Sequence, residues 1–282
     1  MKDQFVIACL ESPLTAAVVL PYAQYSAARL KKGIILLNVS SDGQNDWLKQ
    51  YGLPYVGLKG DWKTAIDGLP TAFGGVLAVT VVNPKAPRTS IAHPATLLRT
   101  FADCKIAYLV VENTAAPDNL PSLHFPRSTY LTLDHRRESK EKLIWGSYMV
   151  RFFGTKLTVA TPTYNDAGLR EKVNNNILFL KKIYKSLDID YTVSPFPFRL
   201  APRTTPDMAV MRLADGGHWP QPADATTDTA AASTLLIAMT TDKRDRDIGD
   251  LLFGQPEQRL LASAHSPILF LNQRDDLYVL CD

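Results

Sequence analysis

Short apolar runs alternate along the chain with longer segments whose apolar residues recur at helical spacing. The first two runs are FVIACL at 5–10 and IILLNV at 34–39, and an amphipathic segment at 13–32 separates them. Ser12 stands where a helix N-cap is expected, and Gly33 stands where the helix would end. Continuous apolar strands around a helix are typical of a parallel sheet covered on both faces. The opening of the chain therefore predicts a β-α-β unit.

The same alternation continues to residue 113 and ends in a proline-rich stretch. Apolar runs at 75–82 and 105–113 predict two more strands, and YVGL after residue 54 predicts a brief one. Residues 114–127 combine prolines with polar residues, as linkers do. The pattern thus predicts a first domain at 1–113 and a linker at 114–127.

The second half of the chain repeats the layout of the first half. The segment from Ser128 to residue 162 matches the opening segment, with Asp134 at the place of Glu11, an offset of 123. The run SPILFLN at 266–272 matches CKIAYLV at 104–110, an offset of 162. The two offsets differ by 39 residues (162 − 123), which predicts an insertion of that size, placed at about 194–232.

These repeats predict an α/β fold made of two tandem five-stranded parallel-sheet units. The second domain would span 128–282. The crossovers are expected to be right-handed, as parallel β-α-β connections nearly always are.

Composition narrows the classes of function without selecting one. The net charge of +3 is too small to predict nucleic-acid binding, and no apolar stretch approaches the ~20 residues of a membrane span. The three cysteines, Cys9, Cys104 and Cys281, lie far apart and predict neither a disulfide framework nor a metal site. The five histidines show no metal-ligand spacing either. No leader is visible at the start, so we expect a cytoplasmic, reduced protein.

Two segments resemble the universal stress protein family. Residues 129–162, with LTLDHRRESKEKL after the strand, resemble its first strand, helix and second strand. The stretch LLFGQPEQRLLASAHSPILFLN at 251–272 resembles its closing glycine, helix and last strand. The resemblance implies two units of the adenine-nucleotide alpha-hydrolase-like type, packed edge to edge through their final strands as a pseudo-dimer.

The resemblance also implies where a nucleotide would bind. Family members that bind ATP use an aspartate at the strand end and a loop of the form Gly, two residues, Gly, nine residues, Gly-Ser/Thr. In that register Gly254 is retained, but both earlier glycines are missing, with Arg244 in place of the second, and Gln255 replaces the Ser/Thr. Gly249 is out of register.

The first half departs further from the ATP-binding pattern. Ala92 and His93 stand at the Gly-Ser positions, Glu11 replaces the aspartate, and the preceding loop lacks glycine. Loop glycines matter because the backbone must approach the phosphates closely. The sequence therefore predicts little nucleotide binding in either half.

Asp134, at the strand end of the second half, has two interpretations. It could contact a nucleoside, as the resemblance implies, or its carboxylate could accept a backbone N–H as a helix N-cap, which we favour. Arg244 and Arg246 could still hold a phosphate in bidentate fashion. Asp134, Arg244, Arg246, Gly254 and Gln255 are thus the candidate ligand-binding residues. The mixed charges of HRRESKEK at 135–142 predict a solvated helix face, with a partner-binding patch as the alternative.

The sequence favours a non-catalytic stress-response or regulatory protein that binds no ATP or other cofactor. The alternative is an ATP- or AMP-binding sensor that uses the second-half site. A third possibility, a nucleotidyl transferase, lacks any catalytic constellation to support it. We expect no metal, nucleic-acid or membrane partner, and self-association through sheet edges. The apolar run LYVLC at 277–281 is predicted to add a strand or to dock across the halves or a dimer.

Overall fold

The computed structural model describes residues 4–40, 45–112, 125–196, 204–215, 234–240 and 255–272. Strands and helices alternate through these ranges. The strands are β1 (Phe5–Cys9), β2 (Gly33–Ser40), β3 (Tyr55–Lys59), β4 (Gly75–Val82), β5 (Ala107–Glu112), β6 (Ser128–Thr132), β7 (Lys156–Thr161), β8 (Thr192–Pro195), β9 (Thr234–Met239) and β10 (Ile268–Leu271). The helices are α1 (Pro13–Leu30), α2 (Trp62–Asp67), α3 (Leu69–Ala72), α4 (Pro94–Phe101), α5 (Glu141–Tyr148), α6 (Ala167–Leu187), α7 (Pro206–Asp215) and α8 (Pro256–Ser263).

All ten strands form one sheet in the order β3-β2-β1-β4-β5-β10-β9-β6-β7-β8. Neighbouring strands are parallel within each half, whereas β5 and β10 pair antiparallel where the halves meet. Since β5 and β10 are the last strands of their halves, the predicted pseudo-dimer of two five-stranded parallel units is confirmed. Tyr108 pairs with Phe270, its equivalent at the predicted offset of 162, so the pseudo-twofold axis passes between them. Their rings stack with centroids 5.4 Å apart.

The strand register also confirms the offset of 123 at the start of each half. The amide of Leu10 donates to Leu37, and the amide of Leu133 donates to Ala160 in the same way. Both residues of the second bond lie 123 positions after their counterparts. Glu11 and Asp134 therefore occupy equivalent places directly after these bonds.

The extra residues of the second half are spread more widely than the sequence predicted. Leu36 pairs with Tyr55, and Val159 pairs with Val193, so the offset has already grown to 138 at β3 and β8. It is 158 between β4 and β9, judged from their pairing with β1 and β6. About 15 extra residues (138 − 123) therefore precede β8, and only 20 (158 − 138) lie between β8 and β9. The predicted insertion at 194–232 thus accounts for about half of the difference.

These extra residues build helices that the first half lacks or shortens. The 21-residue helix α6 stands where the first half has only a 3-10 turn, Asp46–Tyr51. Within the region predicted to be an insertion of weak periodicity, Pro206–Asp215 forms α7, which packs on β6 and β9. The buried side chains of α7 include those of Met208 and Met211. The second half therefore covers the ends of its strands with more chain than the first half does.

Local chemistry explains how α1 begins and ends. The hydroxyl of Ser12 accepts the amide of Thr15, and the hydroxyl of Thr15 accepts the amide of Ser12, which forms a reciprocal capping box. The helix ends at Lys31, which adopts the left-handed conformation with φ 54°. The expectation that Gly33 ends the helix was wrong by two residues, since Gly33 already begins β2.

Helices cover both faces of the sheet, and each face carries its own apolar core. One core includes Val19 and Leu131, and the other includes Phe101 and Phe270. Phe125, at the end of the predicted linker, packs against the first core and stacks on Tyr25 with centroids 4.6 Å apart. No helix in the described ranges is long and apolar enough to cross a membrane. The run at 277–281 lies outside these ranges.

Candidate functional site

The carboxyl end of β6 holds Asp134, the residue that the sequence singled out. In open α/β sheets this edge is where ligands bind. Asp134 is 2% exposed, and its carboxylate accepts hydrogen bonds from the backbone amide of Arg136 at 2.9 Å and from the hydroxyl of Ser139. Arg136 also donates from Nε and Nη2, both at 2.8 Å, to the same carboxylate oxygen. The carboxylate is thus engaged by its own chain on both oxygens.

A helix from the extended second half holds this segment in place. Asn176, buried on α6, donates its side-chain amide to the carbonyl oxygens of Asp134, at 2.7 Å, and of Arg136, at 3.0 Å. His135 contacts Tyr164, with 3.0 Å between Nδ1 and the hydroxyl. Burial, and then the negative charge of Asp134, raise the pKa of Tyr164 to about 12. The residues after β6 are therefore fixed by α6 and by the loop that follows β7.

The electrostatics of Asp134 favour its charged form. Burial by itself raises the pKa of its carboxyl, but the positive charges of Arg136 and Lys142 and the hydrogen bonds from Arg136 and Ser139 outweigh burial, so the pKa is lowered. Asp134 accepts a backbone N–H, as the predicted N-cap would. However, the donor is Arg136, which is itself the N-cap of the 3-10 turn Arg137–Lys140. The N-cap interpretation is therefore corrected: Asp134 caps no helix and closes a turn before one.

A second ion pair, which the sequence analysis missed, lies at the same strand end. Lys142 is fully buried, and its ammonium donates to Asp207 at 3.0 Å and to the hydroxyl of Thr132 at 2.6 Å. The Thr132 hydroxyl in turn donates to Asp207. Asp207 is 6% exposed and comes from α7. A lysine among alternating charges gave no signal of burial, because its partner lies 65 residues away in a segment of weak periodicity.

The prediction that residues 135–142 form a solvated face was wrong in part. Ser139, Glu141 and Lys142 are buried, Arg137 is exposed, and the other four residues are half-buried. Arg136 and Lys142 face the sheet edge, where Asp134 and Asp207 supply the opposite charges. The alternative of a partner-binding patch stays a prediction.

The first half closes its equivalent position by a different contact. The carboxylate of Glu11 accepts the hydroxyl of Ser90 at 2.5 Å and the amide of Ile91 at 2.9 Å. These residues belong to the loop after β4, where a nucleotide's phosphates would lie by the family pattern. Ile91 and Ala92 are buried in that loop. Glu11 therefore ties the end of β1 directly to the glycine-free loop.

Of the other candidate residues, Gln255 is the one that the structure describes. Gln255 is the N-cap residue of α8, and His93 is the N-cap residue of α4, 162 positions earlier. This equivalence confirms that His93 and Gln255 correspond between the halves; that Gln255 stands at the Ser/Thr position of the family loop stays a prediction. Arg244, Arg246 and Gly254 lie outside the described residues.

The arrangement can hold charges in fixed positions, and the two cysteines that the structure describes are both buried. In the described part of the chain, no three His, Cys, Asp or Glu side chains converge as a metal site would require. Cys9 and Cys104 are buried; burial raises the pKa of both thiols, that of Cys104 to about 11. Such thiols are poor nucleophiles at neutral pH. The strand-end clusters are thus internal ion pairs and hydrogen bonds.

Comparison with known proteins yields similarities in structure alone. No family model matches the chain, and no curated protein matches its sequence. A universal stress protein from Archaeoglobus fulgidus is similar with a TM-score of 0.59 and 11% identity, covering 97% of each chain. A candidate universal stress protein from Pseudomonas aeruginosa UCBPP-PA14 has a TM-score of 0.55 and 12% identity, covering 99% of this chain and 96% of that one.

A functionally unknown protein from Pseudomonas aeruginosa PAO1 is similar to the same extent. Its TM-score is 0.54 with 14% identity, covering 98% of this chain and 95% of that one. These similarities extend over both halves of the chain. The chain therefore has the fold of the tandem universal stress proteins.

Proposed function

We propose that this protein is a non-catalytic regulatory protein of the universal stress protein type, whose nucleoside positions are closed by its own side chains. The observation that carries the proposal is the engagement of Asp134. Its buried carboxylate already accepts the Arg136 guanidinium, the Arg136 amide and the Ser139 hydroxyl. The equivalent Glu11 is bound to Ser90 and Ile91. In each half, a ligand would have to displace these bonds before it reached the carboxylate.

The cost of that displacement is large enough to matter. A hydrogen bond to a charged group contributes about 1.5–3 kcal/mol, so the loss of one lowers ligand affinity by about 10- to 150-fold. The Arg136 side chain is 36% exposed, which places its contribution toward the lower end of that range. Asn176 adds two bonds that hold the backbone of this segment in the closed arrangement. We therefore expect the protein to act by binding a partner and not by catalysing a reaction.

Calorimetry with Mg-ATP tests the proposal. We expect no binding to the full-length protein tighter than about 0.1 mM, because the strand-end carboxylates of Glu11 and Asp134 are already engaged by their own chain. Asp134→Asn should behave as the unaltered protein does, and Asp46→Asn, an exposed aspartate, serves as the matched control. Micromolar binding of Mg-ATP that is lost in Asp134→Asn and kept in Asp46→Asn would overturn the proposal.

The alternative, an ATP- or AMP-binding sensor, depends on the loop before α8. Its support is that Gln255 is the N-cap residue of α8 and that residues 244–254 precede it in the sequence, as the phosphate loop does in the family pattern. In that case a nucleotide-induced thermal shift should disappear in the Arg244→Ala/Arg246→Ala double variant. A Lys181→Ala/Lys182→Ala variant removes the same charge from α6 and is the control. No thermal shift with ATP or AMP in the unaltered protein would exclude the sensor.

Self-association through a sheet edge belongs to the same proposal. The outermost strands of the sheet are β3 and β8, since β5 and β10 pair with each other where the halves meet. Strand β8 ends in Pro195, which has no amide to donate, so β3 is the better edge for pairing. Sedimentation should show a dimer that Tyr55→Pro dissociates, because Pro54 and Val56 face β2 and the Tyr55 amide therefore points away from the sheet; a monomer at all concentrations would contradict it. A cytoplasmic location stays a prediction.

A further inference from the structure

A groove of about 380 Å³ crosses the joint between the two halves on the side of α4 and α8. Its walls come from both halves, because α4 packs against α8 across the pseudo-twofold axis. The polar residues that line it are Lys63, Arg88, Thr96, Arg99, Gln255 and Gln258. Neither Asp134 nor Glu11 lines it, so the groove is distinct from the two closed strand-end positions.

The groove is cationic, and part of its charge is uncompensated. Lys63 is shared between Asp67, at 3.0 Å, and Asp103, at 2.7 Å, so its charge is largely neutralised. Arg88 and Arg99 form no ion pair with any residue in the described ranges, and no carboxylate from those ranges lines the groove. Two guanidinium groups without a counter-charge among the described residues therefore face one concave surface from different elements.

The backbone that carries these arginines is well ordered by local bonds. Arg99 lies on α4, whose first turn is capped by the His93 ring accepting the Ala95 amide at 3.2 Å. The hydroxyl of Thr96 donates to the carbonyl oxygen of Arg88, which links the loop after β4 to the same helix. Glu11 holds the loop from the other side. The backbone positions of the two arginines are thus set by the fold and not by a ligand.

We propose that this groove binds a small polyanion through its phosphate groups, with Arg88 and Arg99 as the charged contacts and the amides of Gln255 and Gln258 as further donors. Guanidinium groups bind phosphate oxygens in bidentate fashion, and glutamine amides donate two hydrogen bonds each. The ligand class is an oligophosphate, whether free or carried by a nucleotide. Because the groove is built from both halves, such a ligand would bridge α4 and α8.

The inference goes beyond the proposed function and can fail separately from it. Recognition here needs phosphates alone, whereas a nucleoside site at Asp134 needs the base and ribose. Inorganic tripolyphosphate is therefore the probe, with Mg-ATP as the second arm. Calorimetry should give a dissociation constant for tripolyphosphate below about 1 mM that rises with ionic strength.

Two arginine variants and a matched control locate the site. Arg88→Ala and Arg99→Ala should each weaken tripolyphosphate binding about tenfold or more, since each removes a charge-assisted contact. Arg151→Ala, which removes an exposed arginine far from the groove, should leave binding unchanged. All three side chains are exposed, so thermal unfolding should be unaltered and will show whether a variant folds.

The outcomes separate the two proposals. Tripolyphosphate binding that is weakened by Arg88→Ala and Arg99→Ala alone supports the groove, and ATP binding with the same sensitivity means that its triphosphate uses this groove. The proposal for the groove is overturned if tripolyphosphate does not bind at about 1 mM, or if it binds equally well to both arginine variants. ATP binding that is far tighter than that of tripolyphosphate and is lost in Asp134→Asn overturns the closed nucleoside position. In that case the binding of tripolyphosphate alone still tests whether the groove binds an oligophosphate.

Discussion

The Asp207→Asn variant tests whether the ion pair below α7 holds the second half together. The substitution keeps the shape of the side chain and an oxygen that can accept, but it removes the negative charge. Lys142 would then remain fully buried with the Thr132 hydroxyl and a neutral amide as its neighbours. No water can replace the lost charge, because the Lys142 side chain has no exposed surface.

The magnitude follows from the separation and the burial. Two unit charges 3.0 Å apart attract each other by about 5 kcal/mol in an effective dielectric of about 20. Removing one partner of a buried ion pair costs about 3–5 kcal/mol, because the other charge stays desolvated. We therefore expect the free energy of unfolding of the second half to fall by about 3 kcal/mol or more. A Lys142→Met/Asp207→Leu double variant should lose less than Asp207→Asn does, since it leaves no buried charge.

Urea unfolding followed by circular dichroism measures these changes. Asp46→Asn is the control, since it breaks an exposed pair with Lys49 of similar length, 2.6 Å, and should leave stability unchanged. A loss below about 1 kcal/mol in Asp207→Asn would refute the reasoning, because it would mean that the Lys142 charge is solvated. A double variant as unstable as the single variant would also refute it, since the cost would then come from packing.

Further predictions concern acid stability, buried hydroxyls, thiols and the tail. The lowered pKa of Asp134 stabilises the fold above about pH 4 and the effect is lost below it, so Asp134→Asn should show a shallower acid unfolding transition between about pH 5 and 3. Tyr184→Phe should cost about 1 kcal/mol in urea unfolding, because its hydroxyl donates to a buried carbonyl oxygen at 2.8 Å. Tyr108→Phe should cost nothing, because its buried hydroxyl has no partner among the described residues; a loss equal to that of Tyr184→Phe would contradict this. Burial raises the pKa of Cys104 to about 11, so neither buried thiol should react with a disulfide reagent at pH 8 before unfolding, and rapid modification of either in the native protein would contradict this. Deletion of 275–282, which includes LYVLC, should lower the unfolding temperature or change the assembly state, and no change in either would count against a docked tail.

Most of the fold could be predicted from the sequence because it depends on local pattern and repetition. Apolar runs of strand length indicated a buried parallel sheet, and the match between 104–110 and 266–272 indicated which strands are equivalent. The joint itself was implied by the family resemblance, and the match identified Tyr108 and Phe270, which meet there, as equivalent residues. The position of the insertion could not be predicted as well, because a difference between two offsets gives only a total. Helix α6 adds residues outside the region that composition had marked.

The candidate site divides in the same way. Its place, directly after β6, was predictable, since an aspartate at a strand end needs only the strand to be recognised. Its state was not predictable. Whether Asp134 faces a ligand or its own chain depends on Arg136, Ser139 and the backbone bonds from Asn176, which reaches it from α6.

The sequence by itself determined the two α/β halves, their equivalence and the loss of the loop glycines. These are properties of short segments and of comparisons between segments, which no tertiary contact can change. Only the tertiary structure decided that Lys142 and Asp207 form a buried pair and that Arg88 and Arg99 line one groove with Gln255. Those facts depend on which helix covers which strand end. The sequence does not show whether a charged residue faces water or a counter-charge. That depends on whether folding brings it next to a partner that lies far away along the chain.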